Sequence, residues 1–193
     1  MKVSMHDFIR RFTMRLIALA LLAVASAAAT AGSVDINLSN HTIEAQYATA
    51  AGSAEFTAGG LYNEDQKDWA INVGLLAAGD TQVAGSRLDA GLGGKLYAVH
   101  VSDKDLMALG LGGRLRWFPG NGSFAIGGHA FYAPTVVTFV DGDRFVDLGL
   151  RAEVELVRNS TLYVGYRWMR ADLNNQTRPY VDKGAFVGVQ IGF

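Results

Sequence analysis

Cysteine is absent from this 193-residue chain, which excludes disulfides, thiolate metal sites and cysteine nucleophiles. Proline is scarce, 3 residues against 23 glycines, a combination that disfavours disorder and suits many short strands joined by tight turns. Charge of one sign is missing as well. The 17 basic and 18 acidic residues leave a formal net charge of -1 with no basic patch, so nothing in the electrostatics calls for a nucleic-acid partner. What is present is apolar material. Half of the residues are hydrophobic and only 18% are charged, enough to give a single domain a buried surface.

The N-terminal segment reads as an address. Lys2, Arg10, Arg11 and Arg15 precede an apolar run from Leu16 to Ala29, and Ala29-Thr30-Ala31 stands before Gly32. That is the charged, apolar and small-residue order of a secretory signal peptide. The run is shorter than the roughly 20 residues a helix needs to cross the hydrocarbon core, so cleavage after Ala31 is expected over a retained anchor. Residues 1–31 are the signal peptide in this reading, and 32–193 the mature protein. No later stretch has the length and apolarity of a transmembrane helix.

From Gly32 onward apolar residues recur with period two, the signature of strands with two unlike faces. In Phe145 to Val157, Val146, Leu148, Leu150, Ala152, Val154 and Leu156 alternate with Asp147, Gly149, Arg151, Glu153 and Glu155. Before Pro119-Gly120-Asn121-Gly122, Met107, Leu109, Leu111, Leu115 and Trp117 alternate with Gly110, Gly112, Arg114 and Arg116. Further strands are expected at about 42–48, 54–62, 68–76, 87–101, 122–133, 160–171 and 182–193, with a weaker one at 34–39. Several exceed the roughly 9 to 11 tilted residues that span a bilayer. The expected fold is all-β: a small antiparallel transmembrane β-barrel, of ten strands because an even number returns both termini to one side, with eight as the alternative.

With the C-terminus in the periplasm, strand directions alternate back from Phe193. Trp117, Phe124 and Phe193 then form a periplasmic aromatic girdle, and Tyr62, Trp69, Tyr132 and Trp168 an outer one. Short links, Arg158-Asn159 and Pro119 to Gly122, lie on the periplasmic side. The longer ones, about 134–143 and 172–181, lie outside.

The other face carries the charges. Arg87, Asp89, Lys95, Arg114, Arg116, Arg151, Glu153, Glu155 and Arg167 form the expected lumen network, with Glu44, Glu55 and Asp147 also inward. In a narrow barrel such charges must pair, so a filled, salt-bridged interior is expected, closed by a charged floor in the periplasmic half. Inward glycines, among them Gly91, Gly110, Gly149 and Gly188, give the long side chains room.

Sites of other kinds are poorly supported. Gly91-Leu-Gly-Gly-Lys-Leu96 and Gly110-Leu-Gly-Gly-Arg-Leu115 resemble phosphate loops only superficially, since no Lys-Ser/Thr pair and no helix follow. His129 faces inward, but Ser123 on the same face is about 20 Å away along the strand, out of reach for a nucleophile and base. His41 and His100 show no metal-ligand spacing. The acidic tips Asn63 to Asp68 and Asp141 to Asp143 could meet divalent cations, or simply be solvated turns. No catalytic residue, metal site or cofactor is expected.

Five strings occur in matching order along the chain: Gly91-Leu-Gly-Gly-Lys-Leu-Tyr97, Ala108-Leu-Gly-Leu-Gly-Gly-Arg114, Phe131-Tyr-Ala-Pro134, Tyr163-Val-Gly-Tyr-Arg167 and Gly184-Ala-Phe-Val-Gly-Val189. Together they resemble the YfaZ family of outer-membrane proteins, from about residue 34 to the end. The resemblance implies an outer-membrane barrel of a Gram-negative envelope and transfers no catalytic residue. Expected partners are outer-membrane lipids and lipopolysaccharide, and the barrel-assembly machinery through a C-terminal strand ending on Phe193. The expected state is a monomer, with a structural, interaction or narrow-passage role. Rival roles are a lipid-modifying or proteolytic barrel enzyme and a diffusion channel for small solutes.

Overall fold

A computed structural model describes residues 32–157, 159–174 and 178–193. The expected signal peptide, residues 1–31, and the expected link residue Arg158 lie outside the described residues. The strands are β1 (Gly32–Leu38), β2 (Thr42–Ala51), β3 (Ala54–Asn63), β4 (Trp69–Val83), β5 (Ser86–Val101), β6 (Lys104–Phe118), β7 (Phe124–Ala133), β8 (Thr138–Val140), β9 (Gly142–Val157), β10 (Ser160–Leu173) and β11 (Tyr180–Gly192).

Each strand pairs antiparallel with its neighbours, and β1 pairs with β11 from Ser33↔Gly192 to Leu38↔Val187, which closes the ring. The weak segment at 34–39 is therefore the tenth stave, hydrogen-bonded on both sides. Eleven strands make ten staves because β7 and β8 share one position, both pairing with β6. Pro134 stands between them; it has no backbone N–H to donate, and a single 3-10 turn, Thr135–Val137, carries the chain until pairing resumes. The expected outer loop at 134–143 is thus an interrupted strand followed by a tight turn at Asp141. The expected loop at 172–181 is likewise shorter, since β10 continues to Leu173 and β11 begins at Tyr180.

Two turns, β4–β5 at one end of the barrel and β5–β6 at the other, are two-residue hairpins. Ala84 and Gly85 take φ of 50° and 75°, and Ser102 and Asp103 take 52° and 59°, the left-handed pair that a right-twisted hairpin needs. The two glycine-rich repeats lie inside β5 and β6 and pair with each other, with Gly91 opposite Arg114, Gly93 opposite Gly112 and Lys95 opposite Gly110. Gly93 has no alternative there, because a Cβ would stand 2.1 Å from the Leu75 carbonyl oxygen on β4. These are strand residues under a packing constraint.

Alternation decides the two faces. Leu75, Leu92, Leu111, Ile126, Leu150, Val164 and Val187 are exposed on the outer wall, a continuous apolar surface that no soluble monomer would present. Phe124 and Tyr132 are eight residues apart on β7, roughly 27 Å along the strand. At barrel tilt that is about 20 Å along the membrane normal, close to the ~25 Å apolar band of outer-membrane barrels.

Candidate functional site: the barrel interior

Two chemically different layers fill the lumen. In the half nearer the chain termini, Arg114 on β6 reaches Glu55 on β3 (2.9 Å from Nε and 2.5 Å from Nη2) and Asp89 on β5 (3.0 Å). Arg116 donates to Glu153 at 3.0 Å from Nε and 2.5 Å from Nη2. Glu153 also accepts from Arg151 at 2.7 Å, and Arg151 reaches Asp35 on β1 at 3.0 Å. The Tyr163 hydroxyl donates to the same Asp35 carboxylate, and the Arg151 guanidinium lies 4.9 Å from the Tyr163 ring centre. Arg87 and Glu155, at 3.4 Å, form a solvent-exposed pair at the rim, with Arg87 over the Phe118 ring.

A second polar knot lies higher, on the β1, β2, β10 and β11 side. Arg167, with its side chain 3% exposed, donates to Glu44 at 2.5 Å, Asn37 at 2.8 Å and Asp182 at 3.1 Å. Thr42 completes Asp182 from the far side at 3.0 Å. Next to it, Asp147 accepts from the Tyr97 hydroxyl at 2.8 Å and meets His129 Nε2 at 3.1 Å. Lys95, buried on β5, sets its ammonium 4.8 Å from the Phe131 ring centre.

The remaining interior of the outer half is apolar. Val99, Val101, Leu106, Phe131, Phe145, Met169, Leu173 and Val181 form one buried cluster, each from the outer end of its strand. Nothing in the sequence separated this plug from the lipid face. Both faces are apolar there, so the alternation that marks the lower half fades. Between plug and ion pairs lies a cavity of about 270 Å³, bordered by Asp35, Glu55, Lys95, Arg114, His129 and Phe131 among others. The interior is thus less completely filled than the sequence leads one to expect.

Asp35, Tyr97, Tyr163 and Asp182 take part in these networks and escaped the sequence reading. The signal was available for Asp35, since Val34, Ile36 and Leu38 alternate with Asp35 and Asn37, and for Tyr163, which shares the parity of Arg167. The glycines make room for rings as much as for arginines. A Cβ on Gly188 would stand 2.3 Å from the Tyr163 ring, and one on Gly149 2.4 Å from the His129 ring.

Outside, Trp117, Phe124 and Phe193 are exposed at the termini end, where Tyr47 stacks on Phe193 at 6.4 Å. Tyr62 and Trp69 are direct cross-strand partners at the opposite end, Tyr132 is exposed there, and half-buried Trp168 lies 4.3 Å from Tyr166. The acidic tip after β3 is organised by its own backbone. Asn63 Oδ1 accepts from the N–H groups of Asp65 and Gln66. Asp68 is buried and accepts from the Ser102 N–H at 3.1 Å, with burial pushing its carboxyl above the ordinary aspartate range. Among the described residues no group of three or more histidine or carboxylate side chains is placed to hold a metal ion.

None of the curated proteins matches the chain. Among solved structures, the crystal structure of Neisserial surface protein A (NspA) aligns at 12% identity and TM-score 0.35, covering 85% of this chain and 94% of that one. The YfaZ precursor family matches residues 11–193. That match takes in every strand of the barrel, and the chain belongs to the YfaZ family.

Proposed function

We propose that this is an outer-membrane barrel of a Gram-negative envelope, exported behind residues 1–31 and matured at Gly32. In this reading it acts as a monomer in a structural, interaction or narrow-passage role and forms no wide pore. The observation that carries this reading is the stacking of two obstructions in one lumen. The Phe131 and Phe145 cluster fills the outer half, and Arg114, Arg116 and Arg151 are tied across the lower half to carboxylates of other strands. A hydrated ion entering from either end meets one of them, and an apolar constriction resists wetting.

Purified protein in planar lipid bilayers tests the closed lumen. The expected result is no large, steady single-channel conductance, and its appearance would refute the reading. Location is tested separately by membrane fractionation with electrophoresis of heated and unheated samples. The expected product sits in the outer-membrane fraction, migrates differently when unheated and begins at Gly32. A soluble product with no heat-dependent shift would sink the assignment.

A further inference from the structure

The outer rim is not electrostatically uniform. The β3–β4 turn carries Glu64, Asp65 and Asp68 against one lysine, Lys67, whereas the wall formed by β9, β10 and β11 carries an excess of cations. Arg144, Arg170 and Lys183 all point outward there, on three adjacent strands. Asp172 stands opposite Arg144, Trp168 stands opposite Lys183, and Arg170 occupies the position between, so the three cations form one diagonal row.

Their neighbours fix their depth. Trp168 belongs to the outer aromatic girdle, and Arg170 lies two residues further out, roughly 7 Å along the strand. Tyr132 is paired beside this row through Val146, and Tyr180 lies under the Lys183 ammonium at 4.6 Å from its ring centre. Below Trp168 the wall is Leu148, Leu150, Val164 and Val187, all exposed. Cations therefore sit just above an aromatic belt, with apolar surface beneath.

The acidic complement is too small to neutralise the row. Asp172 is shared, 3.0 Å from Arg170 without hydrogen-bond alignment and 3.8 Å from Arg144. Asp143 takes a second contact from Arg144 at 3.4 Å. Lys183 has no carboxylate within ion-pairing distance among the described residues. Arg144 and Arg170 keep 46% and 38% of their side chains exposed, so their remaining donors face outward. Lys183 and Tyr180 also border an open hollow of about 300 Å³ above the end of β1, lined by Ser39, Asn40, Asn63 and the carboxylates of Asp65 and Asp182, groups that accept from sugar hydroxyls.

We infer that the outer β9–β11 wall is a binding site for a phosphorylated saccharolipid of the outer leaflet. Its phosphate is held by Arg144, Arg170 and Lys183, its sugar lies against the polar hollow, and its acyl chains run down the leucine and valine wall. Arginine and lysine so placed supply charge-assisted donors at the level where such a phosphate resides, and the apolar wall below accepts only a ligand that carries chains. A free phosphate ion has no use for that wall, and the occupant is the lipid. The inference rests on the outer-membrane reading above.

Native mass spectrometry of the barrel, exchanged into nanodiscs of phosphatidylcholine with bisphosphorylated lipid A added, tests it. Wild-type protein should retain one lipid A. The triple variant Arg144→Ala/Arg170→Ala/Lys183→Ala should need at least about tenfold more lipid for equal occupancy. Dephosphorylated lipid A should bind wild type no better than it binds the variant, and millimolar inorganic phosphate should not displace the lipid. The control Lys67→Ala, on the β3–β4 turn across the ring from β10, should behave as wild type. Undiminished retention by a triple variant that still shows the heat-dependent mobility shift would overturn the inference, as would equal loss in the control. A chain found outside the outer membrane would instead refute the underlying reading, so the two failures are distinguishable.

Discussion

At the scale of single residues the lumen is a set of charges that cannot be removed one at a time. Arg167 is the clearest, being almost fully buried between Glu44 and Asp182. Arg167→Met keeps the volume but leaves two carboxylates without a cation, an expected loss of about 3–5 kcal/mol. Adding Glu44→Gln and Asp182→Asn should recover most of it, because amides can hydrogen-bond without a counter-charge. Urea titration of the folded barrel checks both, and a single variant as stable as wild type would contradict the assignment. The glycines offer a matched pair. Gly188→Ala drives a methyl group into the Tyr163 ring, whereas a Cβ on Gly184 meets nothing within 4 Å. An expected cost of about 1–3 kcal/mol for the first and little for the second can be read from the same titrations.

At the scale of elements, the decisive strand is the one the sequence marks least. β1 has 7 residues, yet it supplies both the seam to β11 and the Asp35 and Asn37 contacts to Arg151 and Arg167. Deleting residues 32–38 should leave β2 and β11 with unpaired edges and abolish the heat-dependent mobility shift, since only a closed barrel stays compact in detergent without heating. A deletion that still shifts would mean β2 can close on β11 directly in a ring of nine staves, with β1 dispensable to closure. The other long strands were legible from their outer faces. Lipid requires a uniformly apolar row, and Leu162, Val164, Tyr166 and Trp168 supply one without interruption. The break after β7 was legible only as a loop, because Pro134 announces an interruption but not that pairing with β6 resumes at Thr138.

For the molecule as a whole, the consequence of two stacked obstructions is a lumen that stays closed when the outer plug alone is removed. Phe131 and Phe145 fill it, the latter packed on Tyr97 with ring centres 4.7 Å apart. Phe131→Ala combined with Phe145→Ala joins the internal cavity to the outside, but the Arg114, Arg116 and Arg151 ion pairs still cross the lower half, so planar bilayers should still show no large, steady conductance. The double variant should also be less stable by several kcal/mol, so its mobility shift is checked first. Steady conductance from a folded double variant would show that the lower ion pairs do not obstruct the lumen.

Sequence alone determined the long strands, their outward rows and most of the charges that face inward, Asp35 and Asp182 excepted, because each depends only on local alternation between the two sides of the wall. The tertiary structure decided which charges meet, since Arg114 and Glu55 are 59 residues apart and join only when the ring closes. It also decided the plug. At the outer ends of β5 and β6 both faces are apolar, so alternation carries no sign there, and only closure shows that the cross-strand partners Val99 and Leu106 turn into the lumen and join the plug.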